Sequence, residues 1–137
     1  MSREILFRGK HIHAMDSNEH LNGTWVHGYL SDKDYIYDKS LEGEFLVDED
    51  TICQYTGLTD KNGKKIFEGD IVRYGEVCGE VKFGLHESNW QIGKYNQGFF
   101  VTFPKEYLLR NELGYWRNKI VVVGNVFDDP ELLEEVK

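Results

Sequence analysis

Residues 51–72 read TICQYTGLTDKNGKKIFEGDIV, and the turns inside this stretch decide the fold. Asn62-Gly63 is a strong hairpin signal. A two-residue type I′ loop needs φ > 0 at both central positions, which Asn and Gly tolerate best. Ile66 and Phe67 follow as the strand leaving the turn. Glu68-Gly69-Asp70 is a second break, after which Ile71, Val72 and Tyr74 restart an apolar run. The expected order is turn, short strand, tight turn, strand. Gly57, Gly63 and Gly69 are read as backbone positions, because glycine reaches φ > 0 without steric cost. Two ligand loops are excluded by spacing. A calcium loop beginning at Asp60 needs Gly at its sixth position and Glu at its twelfth, where this chain has Lys65 and Ile71. A phosphate loop needs GxxxxGK and then Ser or Thr. Between Gly57 and Gly63 there is one residue too many, and Lys65 stands in the hydroxyl's place.

Working outward, the chain alternates short apolar runs with turn residues, the spacing of an all-β meander. Toward the N-terminus, strands are expected at 4–8, 24–30, 35–37 and 41–47. Toward the C-terminus, 70–74 and 78–83 should pair through Gly75-Glu76. The segment GDIVRYGEVCGEVKFG, residues 69–84, is similar to the opening hairpin of small SH3-like barrels. Strands at 90–95 and 99–103 should be joined by a turn at Asn96-Gln97-Gly98, with Pro104 ending the second because it lacks an N–H. Residues 105–113 suit one or two helical turns stopped by Gly114. The β-branched run 119–127 is the best buried strand. Asp129-Pro130-Glu131 has the N-cap, N1 and acidic first turn of a helix start. That helix is too short to stand alone, so it should dock on its own sheet or on a neighbouring subunit.

The 137 residues suit one domain. The expected fold is mainly β: an SH3-like barrel over about 66–127, with additional N-terminal strands and a short C-terminal helix. The division is 1–50 as an N-terminal lobe or added sheet and 51–137 as signature hairpin, barrel and helix, or a single domain 1–137. An aromatic content of 14% favours strands, where such side chains pack well. Mean hydropathy of -0.53 and the lack of an apolar run near the roughly 20 residues of a membrane span point to a soluble protein without a membrane partner. The start MSREILFRGK lacks the apolar region of a secretory signal. Cys53 and Cys78 form no metal-type pair and are expected as reduced thiols. The net charge of -8 disfavours nucleic acid, whose binding leaves a basic footprint. The one tight basic group, Lys61, Lys64 and Lys65, reads as a solvated turn.

The motifs QYTGL, DKNGK and I-F-EGDIV, in this order and spacing, resemble the signature of the YopX-like proteins of bacteriophages and prophages. Trp25-Val26-His27-Gly28-Tyr29 is similar to a strand of one branch of that family. Val123-Gly124-Asn125-Val126 followed by Asp129-Pro130-Glu131-Leu132-Leu133 is similar to its C-terminal ending. The resemblance spans nearly the whole chain, least over 76–116. It implies a phage or prophage origin and a mainly β fold; a cytoplasmic location in the bacterial host is expected. It brings no catalytic residues.

Three chemistries compete with bland readings. His11 and His13, with Asp16, His20 or His27, could hold a metal ion, but their spacing fits solvent-facing polar residues better. Cys53, Cys78 and His86 lack the surroundings of a nucleophilic site. Trp25, Tyr29, Trp90, Phe99, Phe100, Tyr107 and Trp116 could stack bases or sugars, though core and subunit contacts explain them without a basic groove. No catalytic, cofactor-binding or metal residue is therefore assigned, and no cofactor is expected. The function expected is that of a non-enzymatic module that forms a homo-oligomer or binds a phage or host protein. The alternatives are a metal-dependent enzyme using the N-terminal histidines, or an acidic protein that binds nucleic acid or mimics DNA.

Overall fold

The computed structural model describes residues 5–12, 23–87, 95–103 and 111–133. They form two antiparallel sheets and one short helix, so the mainly β expectation holds. The chain divides into two compact units, Met1–Tyr55 and Thr56–Lys137.

The first unit contains β1 (Phe7–Lys10), β2 (Trp25–Asp32), β3 (Tyr35–Asp38) and β4 (Gly43–Leu46). A 3-10 turn at Glu49–Thr51 leads into β5 (Cys53–Thr59), which runs across the boundary between the units. The strand order is β4-β3-β2-β1-β5, with β6 (Lys65–Phe67) beyond β5. Alternation sends Val26, Ile36 and Phe45 to one face, where they form a core with Val47. Phe7 and Ile52 pack against this core. His11 bridges Val47, so the end of β1 meets the end of β4. Gly28 has a steric cause: a Cβ there would collide with the Tyr37 carbonyl on β3. The Asp38 carboxylate accepts the His27 N–H at 2.9 Å and the Ser40 hydroxyl at 2.6 Å. It also accepts the Ser40 and Leu41 N–H groups, which closes the β3–β4 connection.

The second unit adds β7 (Asp70–Tyr74), β8 (Val77–Glu87), β9 (Tyr95–Thr102), β10 (Asn111–Glu112) and β11 (Val121–Asn125), in the order β10-β9-β8-β7-β11. Helix α1 (Leu113–Trp116) lies between β10 and β11. Ile66, Val72, Val81, Val101, Phe103, Leu113, Trp116 and Ile120 form the core. Among the described residues no ladder joins β10 to β11.

Several local expectations need correction. The first strand lies at Phe7–Lys10, later than 4–8. The Asn62-Gly63 loop is not type I′, because Gly63 has φ 86° while Asn62 keeps a negative φ. Asp60 sits at the first position of the turn: its C=O accepts the Gly63 N–H and its N–H donates to Lys64 O, which makes a three-residue loop with glycine in the left-handed region. Asn96-Gln97-Gly98 is no turn; it continues β9 opposite His86, Leu85 and Gly84. The reason is that β8 extends to Glu87 and supplies a hydrogen-bonding ladder, which outweighs local turn preference. The helix expected before Gly114 begins at Leu113 and contains Gly114, while 104–110 lie outside the described residues. The C-terminal helix appears as a 3-10 turn, Pro130–Leu133, with 134–137 outside the described residues. Asp129 turns its carboxylate back to the Asn125 N–H at 3.3 Å instead of capping forward. The expected strand at 90–95 also falls mainly outside the described residues.

Gly69 has φ 88°, its N–H donates to Val81 O and its C=O accepts the Val126 N–H. One residue therefore ties the turn before β7 to β8 and to the chain after β11. Gly69→Val should lose about 1–3 kcal/mol, the usual cost of a side chain in that backbone region. Gly28→Ala should also destabilise, through the clash with Tyr37. Lys61→Val, on an exposed turn, should stay within about 0.5 kcal/mol. Thermal scans test all three, and a Gly69→Val protein melting with the parent would contradict this account.

Candidate functional site

The signature stretch is built around one side chain. Asp60 Oδ1 accepts the N–H groups of Asn62 and Lys64, both at 2.9 Å, and Oδ2 accepts the Val122 N–H at 2.8 Å. The Lys61 N–H donates to Ile120 O at 3.2 Å, so the turn is held against the start of β11. Burial raises the pKa of the Asp60 carboxyl. The three N–H donors and the Lys64 charge outweigh burial and leave it below the ordinary value. Asp70 Oδ2 accepts the Phe67 N–H at 2.8 Å. Asn125 Oδ1 accepts the N–H groups of Phe127 and Asp128 at 3.0 and 2.9 Å. Gly124 leaves room for Asp129, whose Oδ2 would lie 2.5 Å from a Cβ there. Each of these polar signature residues caps backbone N–H groups.

That pattern separates scaffold from surface. A family model described as YopX protein matches residues 7–134. The chain belongs to the YopX family. No curated protein matches it. In the YopX motifs Asp60, Gly63, Gly69, Asp70 and Asn125 shape turns and close strand approaches, so a function has to be sought in the exposed side chains.

The described residues place part of each candidate set. His11 is buried: its Nδ1 donates to Leu46 O at 2.8 Å and its ring meets the Phe45 ring at 5.1 Å in an edge contact. The carbonyl partner makes Nδ1 the protonated nitrogen. His27 lies on β2 opposite Arg8, and its pKa is lowered by burial and then by the Arg8 charge, against a raising contribution from Asp38. His13, Asp16 and His20 lie outside the described residues, within which no group of three or more His, Cys, Asp or Glu is placed to hold a metal ion. Cys53 and Cys78 are buried free thiols. His86 sits on β8 opposite Asn96. One acidic pair escaped the sequence reading: burial, followed by the charge of Glu80, raises the pKa of the Glu68 carboxyl.

Among the aromatics, Phe100 and Trp116 are buried and Phe99 packs on the core, whereas Trp90 and Tyr107 lie outside the described residues. Trp25 and Tyr29 share a sheet face in the first unit, because residues i, i+2 and i+4 of a strand point the same way. Register puts Lys10 opposite Trp25, Arg8 opposite His27, and Tyr29 opposite Tyr37. The Arg8 guanidinium sits 4.7 Å from the Trp25 ring centroid, and the Tyr29 and Tyr37 rings are 5.5 Å apart at 33°. Tyr29 is 58% exposed and Tyr35, on the same face, 38%. Tyr37 was not singled out by its sequence context; only register brings it under Tyr29.

The Asp60 carboxylate gives a pH prediction. A carboxyl whose folded pKa is lowered adds stability that is complete above its unfolded value of about 4. That stability is lost as pH falls through the lowered folded value. Asp38 is lowered in the same direction, burial being outweighed by the Ser40, His27 and Leu41 donors. Acid unfolding should therefore begin below about pH 4. Asp60→Asn replaces one accepting oxygen with an NH2 group facing an N–H donor. It should cost about 1–3 kcal/mol at pH 7 and flatten the acid limb of a stability–pH curve. An unchanged curve would remove Asp60 as the turn's anchor.

Proposed function

We propose that this YopX-family chain acts without catalysis, as a module that assembles with copies of itself or docks on a phage or host protein. The observation that carries this reading is the tyrosine-bearing sheet face of the first unit. Tyrosine, tryptophan and arginine are the side chains enriched where protein surfaces meet. On this face Tyr29 and Tyr35 stay exposed beside Tyr37 and Trp25. The signature groups Asp60, Asp70 and Asn125, by contrast, are occupied with backbone N–H donors.

The reading extends to the second unit as an SH3-like barrel over about 66–127. Its support is connectivity: β11 returns beside β7, β7 to β10 follow in order, and a single helical turn separates β10 from β11. Phage or prophage origin and action in the bacterial cytoplasm complete the proposal, on the strength of the motif resemblance.

Light scattering at micromolar concentration tests the assembly. The expected mass is a multiple of the 16.0 kDa chain. Tyr29→Ser removes an exposed ring, so the melting temperature should hold while association weakens about tenfold or more, as at an interface hot spot. A 16.0 kDa particle throughout that range overturns self-association. Association indifferent to Tyr29 moves the interface elsewhere.

A further inference from the structure

Two pairs of cations distant in sequence meet beside the Asp60 turn. Lys61 and Lys64 are exposed within it. Arg117 reaches back from the end of α1: its Nε donates to Thr59 O at 3.3 Å and its Nη2 to Thr59 Oγ1 at 3.1 Å. These bonds hold the guanidinium next to the turn. Lys119 directly precedes Ile120, whose carbonyl accepts the Lys61 N–H. The carboxylate built into the turn, Asp60, is buried and directed at backbone N–H groups, so it does not face the cations outward.

Aromatic rings border this basic surface. The Lys119 Nζ lies 4.4 Å from the Tyr115 ring centroid. Tyr115 and Tyr74 are 40% and 41% exposed, and both rings meet buried Trp116 edge-on, at 5.1 and 5.2 Å. Trp116 thus fixes two tyrosines whose outer parts reach solvent. Cations that follow a phosphate backbone, next to rings on which bases can stack, are the two components of a single-strand surface.

We propose that this surface binds single-stranded nucleic acid, with Lys61, Lys64, Arg117 and Lys119 on the phosphates and Tyr115 and Tyr74 against the bases. An acidic peptide would use the cations but has no planar groups in series for the tyrosines. The chain's net charge of -8 does not forbid this. At physiological salt, charges more than about 8 Å away are largely screened, whereas the four cations act at contact. The inference goes beyond the assembly reading and concerns different residues.

Fluorescence anisotropy of a labelled oligothymidylate, titrated with the full chain, tests it. Three to four phosphate contacts on a single strand predict a loss of about 20- to 50-fold in affinity between about 50 and about 200 mM NaCl. Lys61→Gln/Lys64→Gln should bind about tenfold more weakly, with a shallower salt dependence and an unchanged melting temperature. Tyr115→Leu should weaken the single strand further. Absence of binding at low salt overturns the proposal, as does binding indifferent to the double variant. Displacement of the oligonucleotide by polyglutamate as readily as by unlabelled oligonucleotide would make this an acidic-protein site instead. A duplex bound as tightly as the single strand would overturn the single-strand assignment.

Discussion

Three backbone N–H groups converge on the Asp60 carboxylate, and the architecture of the second unit follows from that convergence. A carboxylate taken out of water needs several donors to offset its desolvation. Each hydrogen bond to a charged group is worth about 1.5–3 kcal/mol, so three are enough for the charged form to persist. Two of the donors are local and shape the loop between β5 and β6. The third is the Val122 N–H, 62 residues further along the chain. Loop-closure entropy grows only slowly with length, so one strong interaction at this distance can seat β11 against the turn. Gly69 makes a second tie of the same kind, through Val81 and Val126.

This division explains how much of the fold could be read from residues alone. Asp60 and Gly63 announce a turn because their preferences act within a few residues. The identity of the turn was less legible, since Asn62-Gly63 suits a type I′ loop and Asp60 at the first position suits a type I turn. The side-chain bonds of Asp60 decide between them, and their full set includes a partner beyond any local window. Asn96-Gln97-Gly98 carries turn composition yet runs as strand, because eight cross-strand pairs link β8 and β9. Asp129 has the composition of a helix cap, but Gly124 lets it approach Asn125, and its carboxylate is drawn backwards. The ladder to β8 overrode a local preference at Asn96-Gln97-Gly98, while at Asp129 a partner four residues back did so.

The surfaces were harder to read than the fold for a related reason. Motif residues stand together in the sequence, and Asp60, Asp70 and Asn125 among them cap the backbone. Residues that share a surface need not be neighbours in sequence. Tyr29 and Tyr37 face each other only because β2 and β3 pair in one register; a shift of one residue would send either ring to the opposite face. Lys61 and Lys64 were visible as a basic turn, while Arg117 and Lys119 joined them only through Thr59 and Ile120.

Trp116 shows how packing and surface are coupled. Its indole N–H is buried and has no acceptor among the described residues, a cost of about 1–3 kcal/mol. Three rings, Tyr74, Phe103 and Tyr115, meet it edge-on at 5.0–5.2 Å. Such contacts contribute about 0.5–1.5 kcal/mol each beyond their buried area, enough to offset the orphaned donor. Helix α1 has four residues, too few to be stable by itself, so this aromatic cluster is what holds it in place. Because α1 is held, Arg117 and Lys119 emerge at a fixed position beside the Asp60 turn. The buried indole and the buried carboxylate thus act from two sides on one exposed surface, and that surface is defined by core groups that never reach it.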